Sequence, residues 1–265
     1  MGLTRLTILR WKTRGLIALL VALVFALAAQ PARATSPVGR SLNLNAGTFE
    51  LGLGAGIGHR EPVDYTGLGL NFELGYGITP VLELRVRSGL RFGIAGRATE
   101  ADRYGRPVET ETYNLGSDSL ANPEVGLRFN LLRGGTAEIA LDGKVYLPVS
   151  GSFGVLVGLP LALHLGSRLR IDTGLFVPIV FENPTSNLVS LPLHLWIKLQ
   201  GGSFVGPITG VVFPSSGGKL VPFGIGVGTP LSYDADVRLW LLFEDVSHDG
   251  ASKNFGAGVG LYVTF

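Results

Sequence analysis

From residue 46 to the end of the chain, apolar residues alternate with small, polar or charged residues with a period of two. In the last segment, 254–265, every odd position is Phe, Ala, Val or Leu, and every even position is Asn, Gly, Tyr or Thr. Successive side chains of a β-strand point to opposite faces, so this pattern predicts strands with one apolar face and one small or polar face.

Twelve such segments can be delimited, at 46–58, 66–77, 82–93, 122–132, 136–147, 154–165, 168–181, 189–200, 204–213, 220–229, 236–245 and 254–265. Tight turns at 78–80, 133–135, 166–167 and 200–203 alternate with longer, more polar connections such as 59–65, 94–121 and 182–188. An even number of strands with short turns at one end is typical of outer-membrane barrels. We therefore predict an all-β fold, a transmembrane antiparallel up-and-down β-barrel of about twelve strands. Ten or fourteen strands are the alternatives, because 204–230 has the weakest pattern.

Alternation alone does not distinguish a membrane barrel from a soluble β-sandwich, which buries its apolar face. Here the apolar face carries scarcely a charge in any segment, and charged residues make up only 16% of the chain, below the ~25% usual for soluble domains. A lipid-facing surface needs this property, because Arg or Lys at the bilayer midplane costs about 2–4 kcal/mol. The other face is rich in glycine and carries charges of both signs, which suits a water-filled lumen.

The first 34 residues have the three parts of a secretory signal peptide. Arg5 to Arg14 form a basic region, Leu16–Ala29 is an unbroken apolar run, and Ala32-Arg33-Ala34 is a small-x-small cleavage site. The alternative, an N-terminal membrane anchor, would need a run of about 20 residues. We predict a cleaved signal peptide at 1–34, one mature barrel domain at 35–265, and a short periplasmic lead-in at 35–45.

The basic character of the chain comes from this leader. Residues 1–34 hold five of the 22 basic residues and none of the 20 acidic ones, so residues 35–265 have a net charge of −3. A nucleic-acid-binding protein needs a basic patch in its mature chain, and we expect no nucleic-acid partner. Without cysteine, the chain has no disulfide and no thiolate metal site.

The chain ends in an alternating strand with a terminal phenylalanine. This ending, with Gly258, Gly260, Tyr262 and Phe265, resembles the C-terminal sorting signal of bacterial outer-membrane β-barrel proteins. The resemblance implies location in the outer membrane of a Gram-negative bacterium, contact with its lipids, and recognition of the last strand by the barrel-assembly machinery. No particular porin family is indicated.

The strand registers place nine acidic and nine basic residues on the inward face, so net lumen charge predicts no strong selectivity. The predicted pore-lining residues are Glu83, Arg85, Arg87, Arg91, Glu124, Arg128, Asp142, Lys144, Arg168, Arg170, Asp172 and Lys198. Arg85, Arg87, Arg91 and Arg128 lie on two neighbouring strands, and arginine rows in pores attract anions. One hypothesis is a basic stripe facing acids such as Asp142 and Asp172, and the alternative is a lumen closed by salt bridges.

Aromatic residues and the longest loop complete the pattern. Tyr76, Phe92 and Phe265 are predicted to face lipid near strand ends, as in an aromatic girdle, and Trp196 and Trp240 to face inward. The loop at 93–119 carries a net charge of −2 and is interpreted as a solvated outer loop; the alternatives are a loop that narrows the pore mouth or binds a surface partner.

Three functions are compatible with such a barrel. Passive passage of small hydrophilic solutes is favoured, a structural or surface-interaction barrel with an occluded lumen is the second, and an outer-membrane lipid hydrolase is the third. The hydrolase would draw on Ser247 and His248, adjacent in a loop, which is weak support because catalytic triads are defined by geometry. We expect no enzymatic activity, no metal site and no cofactor.

Overall fold

The computed structural model describes residues 37–60, 65–95, 99–101, 107–109, 120–148, 153–181, 186–215, 217–247 and 254–265. The predicted signal peptide and most of the 93–119 loop lie outside these residues. Within the described ranges, no helix is long and apolar enough to cross a membrane.

Twelve strands form one closed barrel, as the alternation predicts. The barrel strands are β1 (Phe49–Arg60), β2 (Tyr65–Gly77), β3 (Leu82–Ala95), β6 (Leu120–Arg133), β7 (Ala137–Tyr146), β8 (Gly154–Leu165), β9 (Leu169–Val180), β10 (Ser186–Lys198), β11 (Phe204–Pro214), β12 (Phe223–Pro230), β13 (Ala235–Phe243) and β14 (Phe255–Thr264). Each pairs antiparallel with the next barrel strand along the chain. The two remaining strands, β4 (Thr99–Ala101) and β5 (Pro107–Glu109), pair only with each other inside the segment predicted as a loop.

Three strands begin three residues away from the predicted start: β1, which begins at Phe49 rather than 46, β10 and β12. Backbone pairing, unlike the side-chain pattern, does not require apolar residues. β10 begins at Ser186 rather than 189, since Ser186 and Asn187 pair with the end of β9. β12 begins at Phe223 rather than 220. It is preceded by Pro222, which has no N–H to donate, and Leu220 makes only an isolated bridge to Val212.

Pairing of the first and last strands closes the barrel. Ten residue pairs join β1 to β14, from Glu50 opposite Thr264 to His59 opposite Phe255. The backbones of Phe49 and Phe265 add two reciprocal hydrogen bonds of 2.8 and 3.1 Å at the rim. The sheet consequently has no free edge, which is the condition for placing a sheet in hydrocarbon, where water cannot satisfy backbone groups.

The burial pattern is the reverse of that in a soluble domain. Large apolar side chains along the outward face are exposed, among them Leu127 at 51% and Val157 at 53%. The most fully buried large side chains are the charged Glu83 and Asp236, and the buried apolar cluster contains only three residues. By the register, no outward position of the described barrel strands holds Asp, Glu, Lys or Arg. Lipid is the solvent that such a surface requires, so the chain is a transmembrane barrel and not a soluble sandwich.

Outward aromatic side chains lie near both ends of the barrel. Phe49 and Tyr76 stack with ring centroids 4.3 Å apart at the short-turn end, and Phe153 and Phe181 stack at 5.7 Å at the long-loop end. In outer-membrane barrels the short turns face the periplasm and the longer loops face the exterior. The two aromatic levels therefore mark the two membrane interfaces.

We expect Leu127→Arg, in the middle of the outward face of β6, to destabilise the barrel by about 2–4 kcal/mol, because it places a charge at mid-bilayer. Urea unfolding of the protein in lipid vesicles, followed by tryptophan fluorescence, measures the change. The matched control is Asn71→Arg, which introduces the same side chain on the lumen face of β2. Equal destabilisation by both substitutions would contradict the assigned lipid face.

Candidate pore

The short-turn end of the lumen holds a network of acid–base pairs. Arg85 of β3 binds the carboxylates of Glu50, Glu73 and Glu83. On the neighbouring strand, the guanidinium of Arg128 donates to both oxygens of Asp142, at 2.6 and 2.9 Å. Bidentate pairing of this kind fixes geometry as well as charge.

The opposite wall continues the network at the same end. Arg170 donates to Asp172 at 2.7 Å, and the indole N–H of Trp196 donates to the other oxygen of Asp172 at 3.0 Å. Arg238 donates to the fully buried Asp236 at 2.6 Å. All four of these arginines are inward residues whose charge is neutralised by neighbouring acids.

Residues 37–48, which we call the N-terminal segment, run across the lumen through this network. The segment starts with a short 3-10 turn at Pro37–Gly39. The guanidinium of Arg40 lies 2.7 Å from Asp236 on β13, and the carbonyl of Arg40 accepts a hydrogen bond from Arg170 on β9. One residue thereby joins the segment to two strands of one wall.

The backbone of the segment is bound by charged side chains of the other wall. The Ser41 hydroxyl and the Leu42 N–H both donate to Glu138 on β7, at 2.5 and 2.9 Å. The carbonyl of Leu42 accepts from Arg128 at 2.8 Å, and the N–H of Leu44 donates to Glu83 at 2.6 Å. Charge-assisted bonds of this kind are stronger than neutral ones, so the network is the binding site of the segment.

Close packing also holds the segment. Val38 and Leu42 are almost completely buried, and Leu42 packs in the apolar cluster with Ala140 and Ala162. At Gly77 a Cβ atom would collide with the carbonyl of Asn45, so only glycine permits this backbone approach. The prediction of a periplasmic lead-in is therefore wrong for residues 37–45, which lie inside the barrel.

A cavity of about 820 Å³ remains beside the segment. It extends from Arg133, Tyr233 and Phe265 at the short-turn rim to Glu73 and Trp196 inside the lumen. The segment therefore constricts this end of the barrel without filling it.

Eleven of the twelve predicted pore-lining residues occupy inward strand positions. The exception is Arg168, an exposed residue of the turn that precedes β9. The predicted basic stripe is divided in two. Arg85 and Arg128 are paired with acids, whereas Arg87 and Arg91 are exposed to the lumen and make no ion pair within the described part of the chain.

Both inward tryptophans occur where the register predicts them, and glycines on nearby strands make space for their rings. Trp240 lies against Gly258, and Trp196 lies against Gly226 and packs edge-on against Phe204 at 5.7 Å. A side chain at either glycine would collide with the indole. Some glycines at even-numbered positions of β12 and β14 therefore accommodate neighbouring tryptophan rings and do not leave open space in the lumen.

The residues of the predicted sorting signal belong to the barrel wall. Gly258, Gly260 and Tyr262 face the lumen, and the guanidinium of Arg238 lies 3.9 Å above the Tyr262 ring, a cation–π contact. Phe265 is 73% exposed at the rim. Recognition of this strand by assembly machinery stays a prediction.

The lipid-hydrolase alternative gains no geometric support from the described residues. The Ser247 hydroxyl donates to Asp245 at 2.6 Å, and His248 lies outside the described residues. In the lumen Glu138 stands between Ser41 and His164, bonded to both, whereas a serine triad needs the histidine next to the serine. The described residues contain no group of three His, Asp or Glu side chains that could hold a metal.

Solved structures of outer-membrane channels share this fold. An outer-membrane channel from Pseudomonas putida F1 superposes with a TM-score of 0.61 at 12% identity, over 84% of this chain and 97% of that one. The KdgM porin, solved in complex with disordered oligogalacturonate, gives 0.56 at 8% identity over 82% and 99%. The NanC porin gives 0.55 at 6% over 80% and 98%. No family model and no curated protein matches the chain.

These likenesses show that the chain shares the closed β-barrel fold of these channels and porins. Identities of 6–12% establish the shared fold alone.

We expect Arg128→Gln to destabilise the barrel by about 3–5 kcal/mol, because it leaves Asp142, which is 3% exposed, as an unpaired buried charge. Adding Asp142→Asn removes that charge and restores part of the stability. Urea unfolding in vesicles compares the single and double variants. Equal stability of the two variants would show that leaving the Asp142 charge unpaired costs little free energy of unfolding.

Proposed function

We propose that this outer-membrane barrel is a channel for passive diffusion of small hydrophilic solutes, constricted at its periplasmic end by the N-terminal segment. The observation that carries the proposal is the cavity of about 820 Å³ that extends beside the segment from the periplasmic rim to Glu73 and Trp196. A barrel with a purely structural role would have no need for a charged cavity beside its N-terminal segment.

The chemistry of the constriction supports this solute class. The cavity is lined by charged groups such as Arg85, Glu73 and Arg170, each paired with an opposite charge. Paired charges offer hydrogen bonds to polar solutes while producing little net field, so we expect weak charge selectivity at this level. The KdgM porin, a barrel of similar fold, was solved with oligogalacturonate, and a polar solute is consistent with this lining.

One observation favours the second candidate, a barrel whose lumen is occluded. The segment is held by at least five charged residues from five strands: Glu83, Arg128, Glu138, Arg170 and Asp236. Such a firmly bound segment would also suit a closed barrel that acts through its outer surface. Conductance measurements separate the two candidates, and we expect no enzymatic activity from either.

We expect the mature chain to form small, steady channels in planar bilayers, and we expect Glu83→Gln with Glu138→Gln to increase single-channel conductance severalfold. The two substitutions remove the carboxylates that bind the backbone of Leu44 and Leu42, so the segment is released from the lumen. Liposome swelling with sugars of increasing size checks the same change in pore width.

The matched control is Glu124→Gln with Glu244→Gln, which alters the charge equally near the extracellular ends of β6 and β13. Its conductance should remain close to that of the unmodified chain. A chain without any conductance, even after release of the segment, would favour the occluded barrel. Because the protein has no cysteine, thiol labelling of Asn43→Cys, a position 4% exposed, reports independently whether the segment has left its site.

A further inference from the structure

The extracellular half of the lumen differs in chemistry from the periplasmic half. Arg87, Arg91 and Lys144, which we call the basic wall, face the lumen above the paired network, on β3 and β7. Arg87 lies opposite Glu73 and Glu124 in the register but forms an ion pair with neither. No salt bridge or hydrogen bond involves the side-chain charges of these three residues within the described ranges.

The other side of this half is apolar on its inward face. Pairing across the strands places six apolar residues, which we call the apolar wall, toward the lumen, from Ile208 beside Trp196 to Leu156 and Pro178 near the long-loop end: Leu156, Pro160, Phe176, Pro178, Ile208 and Trp240. The remaining inward positions of this stretch hold glycine, proline, serine or further apolar residues, such as Gly174, Ser190, Pro192 and Val212. Within their strand bounds, β8 to β13 have no inward charge above the periplasmic level of Asp172 and Arg238, and Glu244 follows β13 at its extracellular end.

Strand order places the two walls face to face. In the closed twelve-strand barrel five strands lie between β3 and β11 in either direction, and five lie between β7 and β13. The strand of Arg87 and Arg91 is therefore diametrically opposite that of Ile208, and the strand of Lys144 is opposite that of Trp240. At their edge the walls meet, since Lys144 pairs directly with Leu156.

Contact with water is unfavourable for each wall relative to contact with a suitable solute. Leu156, Phe176 and Ile208 are partly exposed to the lumen, and covering apolar surface is favourable at roughly 25 cal/mol per Å². Cations that form no ion pair or hydrogen bond attract anions, and rows of arginine or lysine in pores do so strongly. A purely hydrophilic anion interacts favourably only with the basic wall, and a neutral apolar solute interacts favourably only with the apolar wall.

We propose that the extracellular half of the lumen is a binding site for amphipathic organic anions, whose acidic group contacts Arg87, Arg91 and Lys144 while their hydrocarbon part contacts the apolar wall. The inference rests on the proposed channel function and narrows its solutes to this class at the outer half of the pore. The constriction formed by the N-terminal segment then lies below the site, on the path to the periplasm.

Three six-carbon probes test the site: hexanoate, gluconate and hexanol. Hexanoate has both the charge and the chain, gluconate has the charge with hydroxyls, and hexanol has the chain without charge. Added from the extracellular side, hexanoate should block single-channel current at roughly tenfold lower concentration than either of the others, a difference of about 1.4 kcal/mol. Equal block by hexanoate and gluconate would overturn the proposal.

Variants assign the two parts of the probe to the two walls. Arg91→Gln with Lys144→Gln should weaken block by hexanoate and gluconate alike, because it removes charge. Phe176→Ser with Ile208→Ser should weaken block by hexanoate and leave gluconate unchanged. The matched control is Leu175→Ser with Thr209→Ser, one position along each strand on the outward face, and it should alter neither. Loss of gluconate block in the serine variant, or no loss of hexanoate block, would overturn the apolar assignment.

A second readout does not depend on conductance. Trp240 lies in the apolar wall, so titration of the folded protein with hexanoate should change its fluorescence, and Trp240→Phe should abolish that change. If the barrel carries no current but hexanoate still binds, the channel function fails and the site stands. If current flows and hexanoate neither blocks it nor alters the fluorescence, the site fails and the channel function stands.

Discussion

In hydrocarbon no water is present to pair with backbone N–H and C=O groups, and this constraint governs the whole structure. A sheet satisfies it only by closing, which here requires β1 to pair with β14 over ten residues. Closure then fixes the direction of every side chain, because alternate residues must face lipid or lumen. The apolar outer surface and the charged interior are two results of the same requirement.

A closed barrel with charges inside must satisfy those charges without a conventional core. The buried acids Glu83, Glu138 and Asp236 receive bonds from arginines and from the N-terminal segment. The segment gains partners for its own backbone groups in the same contacts. The N-terminal segment and the ion network therefore stabilise each other, and either one alone would leave buried polar groups unpaired.

The candidate site could be predicted only in part. Inward positions such as Arg87 and Asp142 follow from the period of two, and the pairing register places both residues on the inward face; that they line a pore stays a prediction. The sequence does not reveal that Arg128 is neutralised by Asp142 and bound to Leu42, 86 residues away in the chain. Pairing between strands depends on register and shear, which alternation leaves open. The sequence therefore does not show that charges are paired in the periplasmic half of the lumen, while the extracellular half has a basic wall opposite an apolar wall.

By itself, the sequence predicted twelve barrel strands and the face of each that meets lipid. It could do so because a two-residue period is a local property, and because exclusion of charge from one face is a direct response to the bilayer. Only the tertiary structure decided the path of residues 37–48, which cross the lumen instead of extending away from it. That path depends on carboxylates and guanidiniums gathered from five strands, and only barrel closure brings those groups within reach of one short segment.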